Sequence, residues 1–139
     1  MEVTRILAIR HGETAWNVDT RIQGHLDIPL NETGLQQARW LAQAVAARDE
    51  LHAIYASDLS RAHLTAQTLA NAAGLPMTTH PGLRERSFGD FQGRTFAEIE
   101  VELPDDAHHW RKRTPEWTPP GAGESLVALR ERVLATVDE

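Results

Sequence analysis

Apolar residues in this chain come in two patterns, short unbroken runs and helical repeats. Ile6-Leu7-Ala8-Ile9 is the first run, and four apolar residues in succession suit a strand covered on both faces. It stops at Arg10-His11-Gly12. Residues 16–29 have neither helical nor alternating period and read as a loop folding back over the strand end. Leu35, Ala38, Leu41, Ala42 and Val45 then recur at helical spacing behind Asn31, a good N-cap, with Glu32 in the first turn. That predicts a helix to about Arg48. Gly34 weakens the start of this helix, and close packing of the first turn is a physical reason to have it there.

Ala53-Ile54-Tyr55-Ala56 reads as a second buried strand. Leu59, Ala62, Ala66, Leu69 and Ala73 mark the inner face of the next helix, which Gly74 and Pro76 stop. Residues 77–80 suit a third, shorter strand. Thr95 and Glu98 have the spacing of a capping box and open a short helix. Residues 104–123, with Trp110, Trp117 and four of the seven prolines, read as irregular, with a helical turn around 106–112, covering a pocket or the sheet. Ser125 caps a last helix with Leu126, Leu129, Val133 and Val137 on one face. The alternation of strands and helices predicts an α/β fold with a mostly parallel sheet. One domain over residues 1–139 is expected, with no internal repeat or linker.

Composition narrows the function. The chain has 139 residues, 41% hydrophobic and 24% charged, as in a soluble globular domain. No apolar stretch reaches the ~18 residues that span a bilayer, and no signal pattern precedes the first run, so a cytoplasmic protein is expected. The sequence has no cysteine, which removes thiolate ligands and cysteine nucleophiles. A net charge of −6 argues against nucleic-acid or membrane-surface partners. An anionic ligand must therefore be caught locally. All basic residues but Lys112 are arginines, the side chain suited to bidentate phosphate or carboxylate contacts.

Two places fit such a ligand. Arg10 and His11 follow a strand, and sites in open α/β sheets lie outside the carboxyl ends of strands. A surface turn with two polar residues is the plain alternative. Arg61 sits in the first turn of its helix, where a cation opposes the positive end of the dipole. An anion held there would remove the conflict.

Five ordered blocks resemble the histidine phosphatase superfamily, also called phosphoglycerate mutase-like. They are Arg10-His11-Gly12-Glu13-Thr14 with Asn17; Leu30-Asn31-Glu32-Thr33-Gly34 with Gln37-Ala38; Ser57-Asp58-Leu59-Ser60-Arg61-Ala62 with Thr65-Ala66; Leu83-Arg84-Glu85 with Phe88-Gly89, Gly93-Arg94-Thr95 and Glu98; and Gly123-Glu124-Ser125-Leu126. The resemblance implies a three-layer α/β/α fold and a phosphatase of small phosphorylated metabolites that requires no cofactor or metal. It implies that His11 is the nucleophile, one ring nitrogen attacking phosphorus while the other donates, typically to a backbone carbonyl. Arg10 and Arg61 would clamp the phosphoryl oxygens. Glu85 would be general acid and then base, in a partly apolar setting near Phe88 or Phe91. Asn17, Gln23, Gly24 and Arg86 match positions that contact substrate or phosphate. His25, His63, His80, His108 and His109 are expected to be solvated surface residues.

Relatives carry a second catalytic histidine near the end of a further central strand. No histidine follows Ser125 here, so the expectation is a fragment lacking that C-terminal strand. Two alternatives stand beside the phosphatase. One is a cofactor-dependent phosphoglycerate mutase. Mutases have a longer insertion before the Gly-Glu-Ser block, whereas Glu85 to Gly123 is short here and only Arg111, Lys112 and Arg113 imitate the insertion's basic cluster. The other is a catalytically impaired anion-binding domain. Oligomeric state is not legible.

Overall fold

The computed structural model describes residues 3–139, and most of its α-helices begin at a residue whose side chain caps them. The short helix α1, Ala15–Val18, starts at Thr14, whose hydroxyl accepts from the Asn17 N–H. Helix α2, Glu32–Arg48, starts at Asn31, whose side chain accepts from the Gly34 N–H at 2.7 Å. Its buried face consists of Gly34, Ala38, Ala42 and Val45. Such small side chains let a second helix approach closely, and α3, Ser60–Ala73, packs there with Thr65, Leu69 and Ala70 buried. Gly74 ends α3 in the left-handed region at φ 67°, a conformation that suits glycine.

Strands β1, Ile54–Ala56, and β2, Met77–Thr79, pair in parallel with Ile54 opposite Met77. Helix α3 is the crossover that parallel pairing requires. Ile54 joins Ala42, Val45, Leu69 and Ala70 in the main core. The expected α/β character and parallel pairing are both present.

The opening run is a correction. Residues 3–13 form no strand, and Ile6, Leu7 and Ile9 are 69%, 38% and 40% exposed. A buried strand needs hydrogen-bonded neighbours along its edges and cover on its faces, and among the described residues β1 and β2 pair only with each other. Apolar character alone does not supply either requirement.

Residues 104–123 are a second correction. They begin with a nine-residue helix, α5, Pro104–Lys112, after helix α4, Phe96–Glu102, which Thr95 and Glu98 cap as the spacing predicts. Ala107 of α5 is buried with Phe91 and Ile99, and Phe88, Trp110 and Trp117 pack around them. The segment thus builds a second core of its own, because large aromatic rings bury enough surface to hold short elements together. Ser125 caps the last helix, α6, Leu126–Val137.

The start of α2 lies directly against the His11-Gly12-Glu13 backbone. A Cβ on Gly12 would stand 2.5 Å from the Gly34 carbonyl oxygen, and one on Gly34 would collide with the backbone of Glu13. The Asn31 N–H donates to the Glu13 carbonyl at 3.0 Å, and the Glu13 N–H to the Gln37 side chain at 2.9 Å. Close packing is therefore why Gly34 occupies a helical position. Gly34→Ala is expected to lose ~1–2 kcal/mol, overpacking outweighing the helix propensity gained. Urea unfolding measures this; an unchanged or higher midpoint would contradict the packing account.

Candidate active site

His11 sits half-buried where the opening segment meets α2 and α3. The Gly12 N–H donates to the Thr65 hydroxyl at 3.1 Å, and that hydroxyl donates to the Arg61 carbonyl at 2.7 Å. The motif's backbone is thereby tied to α3. Nδ1 of His11 lies 2.6 Å from the Gly12 carbonyl oxygen. A carbonyl only accepts, so Nδ1 carries the proton and Nε2 keeps its lone pair.

Burial lowers the His11 pKa from its ordinary 6.5, and the charges of Arg61 and Arg10 lower it further, while the Gly12 bond and Glu85 oppose this. The ring is thus held neutral, as a nucleophile needs. Because the unfolded chain binds this proton more readily, the group's contribution to stability is complete above pH 6.5 and is lost as pH falls through the folded pKa. NMR titration of His11 should give a midpoint below 6.5, and Arg10→Gln should raise it. A midpoint that Arg10→Gln leaves in place would remove the electrostatic cause.

Arg61 is 2% exposed. Its Nη2 donates to the Gly24 carbonyl at 2.6 Å and its Nη1 to the Leu26 carbonyl at 2.7 Å. A guanidinium has five N–H donors, so these bonds to the described residues leave donors for an anion. Burial pulls the Arg61 pKa down, and Glu85 and Asp27 push it back up. Helix α3 has no cap from its own N-cap residue, Leu59. The Asp27 carboxylate supplies one from the 16–29 loop, accepting from the Ser60 N–H and hydroxyl, each at 2.7 Å. Those bonds, the hydroxyl's first, hold Asp27 below the usual carboxylate range. Asp27 also offsets the cation at this helix start, a role the sequence assigned only to a bound anion.

Two recesses meet at Arg10 and His11. The first, about 450 Å³, has Arg10, His11, Arg61 and Glu85 on its wall, with Ser57 and Leu83. The second, about 430 Å³, runs along α2 and includes Glu13, Asn17, Gln37 and Thr65. All four residues expected to be catalytic therefore face one space.

Other expected residues are placed differently. The Glu85 carboxylate is exposed and accepts from the Arg86 N–H at 2.6 Å; the setting expected for it beside Phe88 or Phe91 is absent, and the apolar residues on its recess are Ile9, Leu59, Ala62 and Leu83. Phe91 belongs to the second core, and Phe88 packs beside Arg86 instead. Arg86 is 4% exposed, donates through Nε to the Glu124 carbonyl at 2.7 Å, and lies over the Phe88 and Trp117 rings at 5.3 and 5.7 Å. It is turned into the fold rather than into either recess. Asn17 lines the second recess, while its Oδ1 accepts from the Thr14 N–H at 2.9 Å. Gln23 is buried and accepts from the Thr14 hydroxyl at 2.8 Å. Gly24 adopts φ 54°, and a Cβ there would run into Gln92; its carbonyl holds Arg61.

His25 is not a solvated surface residue. Its Nε2 donates to the Glu85 carbonyl at 2.7 Å, and its backbone N–H to Gln92 at 3.0 Å. His80 pairs with Glu139 at 2.7 Å. Asp58 and Arg84, both inside the matching blocks, form a two-pronged ion pair at 2.6 and 2.7 Å that ties the turn before α3 to the Glu85 segment. Their opposite charges were visible in the sequence, but their proximity was not. Among the described residues, no three His, Asp or Glu side chains are grouped to hold a metal ion, and no helix is long and apolar enough to cross a membrane.

The chain is similar to several known proteins. A plant relative, phosphoglycerate mutase-like protein 4 of Arabidopsis thaliana, is 39% identical over 133 residues, 95% of this chain and 58% of the relative. The glucosyl-3-phosphoglycerate phosphatase of Mycolicibacterium vanbaalenii is 40% identical over 139 residues, 100% of this chain and 60% of the relative. A solved mycobacterial glucosyl-3-phosphoglycerate phosphatase in complex with VO3 superposes with a TM-score of 0.84 at 39% identity, covering 92% of this chain and 60% of that one. The chain thus spans less than two thirds of the length of these relatives. The sequence model of the histidine phosphatase superfamily, branch 1, matches residues 6–139, and the chain belongs to that family.

Proposed function

We propose that this chain carries the nucleophile and acid of a phosphomonoester hydrolase acting on small phosphorylated metabolites through a phosphohistidine on His11. The observation that carries the proposal is the locked Nδ1–H of His11 beside a recess shared with Arg10, Arg61 and Glu85. In the first step the Nε2 lone pair attacks phosphorus, and the bond from phosphorus to the ester oxygen breaks. Glu85 gives that oxygen its proton. The Gly12 carbonyl holds Nδ1–H while positive charge grows on the ring. Arg10 and Arg61 balance charge on the phosphoryl oxygens, whose positioning dominates catalysis of this kind. In the second step the Glu85 carboxylate takes a proton from water. The water oxygen bonds to phosphorus, the P–N bond breaks, and inorganic phosphate leaves with His11 regenerated.

Two observations favour hydrolysis over mutase chemistry. The mycobacterial relative is named a phosphatase. The basic residues at the end of α5 are also partly committed elsewhere, since Arg111 pairs with Glu100 and lies over the Phe96 ring at 6.0 Å. The plant relative's mutase-like name keeps phosphoryl return to the substrate as the second reading.

The test uses the natively encoded protein, because the relatives are longer than the matched stretch. It is offered alkyl and aryl phosphates, 3-phosphoglycerate and glucosyl-3-phosphoglycerate. Release of inorganic phosphate is expected. Isomerisation of phosphoglycerate without release would establish the mutase, and binding without turnover the anion-binding domain.

A further inference from the structure

Glu85 lies in a segment, residues 84–88, that belongs to no helix or strand. Its backbone must be placed by other groups. His25 Nε2 donates to the Glu85 carbonyl at 2.7 Å from the 16–29 loop, and from the other side one side chain reaches several carbonyls at once. Arg132 on α6 uses all five of its N–H donors. Nη1 donates to the carbonyls of Gly82 and Arg84 at 2.8 and 3.0 Å, and Nη2 to the carbonyl of Glu85 at 3.1 Å. Nε and Nη2 also donate to the Glu124 carboxylate at 2.7 and 2.8 Å.

Glu124 in turn accepts from the Ser87 N–H at 2.7 Å and gives its own N–H to the Ser87 carbonyl at 2.8 Å. Burial works to raise the Glu124 carboxyl, but the bonds from Arg132 and Ser87 prevail and hold it below the usual carboxylate range. The pair therefore grips the segment on both sides of Glu85. Helix α6 rests against the turn before it, where a Cβ on Gly82 would run into Thr136.

We propose that Arg132, oriented by Glu124, is the positioning residue that aims the Glu85 carboxyl at the leaving oxygen. The proposal rests on the reading of Glu85 as general acid. A flat fork that satisfies three carbonyls within four residues sets the direction of the Glu85 Cα–Cβ bond. A lysine has a single ammonium and cannot reproduce that pattern.

The leaving group separates aiming from mere support. p-Nitrophenolate departs without a proton, whereas the alkoxide of glycerol phosphate needs one. Steady-state kcat/KM for both esters is measured in natively encoded wild type, Arg132→Ala, Arg132→Lys, Glu85→Gln and the Glu85→Gln/Arg132→Ala double variant. Arg132→Ala should lower the glycerol phosphate value by ~10²-fold and the p-nitrophenyl phosphate value by no more than ~3-fold. Arg132→Lys should show a smaller selective loss. The double variant should lose no more selectivity than Glu85→Gln, since both changes disable one function.

Equal losses on both esters in Arg132→Ala, with a selective loss in Glu85→Gln, would overturn the proposal and leave the acid role standing. Equal losses in Glu85→Gln would overturn the acid role and the proposal with it. A further selective loss in the double variant would also overturn it. If Arg132→Ala fails to fold, Arg132→Lys and Glu124→Gln carry the same comparison.

Discussion

His11→Ala is expected to abolish phosphoenzyme formation and to lower turnover by about 10⁴-fold or more, as removal of a nucleophile does. The fold should survive. Among the described residues the ring makes one hydrogen bond, to the adjacent carbonyl, and the surrounding backbone is held by other groups: Gly12 by Thr65, and Glu13 by Asn31 and Gln37. Unfolding midpoints near wild type would therefore accompany the lost turnover. Rapid quenching with intact-mass analysis checks both halves of the claim. Wild-type protein mixed with a phosphomonoester should gain one phosphoryl group that is labile to acid and stable to base, and the variant should gain none. A variant that still turns over at the wild-type rate would reject His11 as the nucleophile.

Arg61→Ala should damage stability and catalysis together. Its guanidinium is buried and satisfies the Gly24 and Leu26 carbonyls. Buried acceptors left without donors cost about 1–3 kcal/mol each, so a stability loss of ~2–5 kcal/mol is expected. The loop carrying Gly24 and Asp27 would loosen. Since Asp27 caps Ser60, the start of α3 would fray with it. Loss of one preorganised donor to the phosphoryl group should lower kcat/KM by ~10²–10³-fold in the protein that remains folded. Arg61→Lys keeps the charge without the fork, so it should recover part of the rate and little of the loop's order. Urea unfolding and phosphate release on the same preparations decide the matter. Wild-type stability in Arg61→Ala would show that the two carbonyls do not depend on the guanidinium.

These two residues differ in how they could be recognised. His11 lies inside a contiguous motif and is named by the family resemblance. Arg61 belongs to a second block and also stands out as a cation at the positive end of a helix dipole. Its dependence on Gly24 and Leu26 was invisible, because those partners are 37 and 35 residues away. Glu85 is recognisable through its block, but its surroundings are not. The aromatic residues that follow it in sequence turn away into the second core and take Arg86 with them.

What the sequence determined by itself was local. Caps at Asn31, Thr95 and Ser125, the glycine stop at 74, and the helical repeats all act within a turn or two of chain. A capping bond joins a side chain to a backbone N–H three residues on, so its signal is contained in a short stretch of chain. Tertiary structure decided everything that needed a distant partner. It left Ile6-Leu7-Ala8-Ile9 without a ladder among the described residues, since a strand exists only through its neighbours. It gave α3 its cap from Asp27 across 33 residues. It placed Arg132 against the Glu85 carbonyl across 47 residues. Hydrogen bonds of that range cost loop-closure entropy, which the core packing of the whole chain offsets. Arg10-His11-Gly12 therefore marks the chemistry, and the packing of α2, α3 and α6 decides how its partners are aimed.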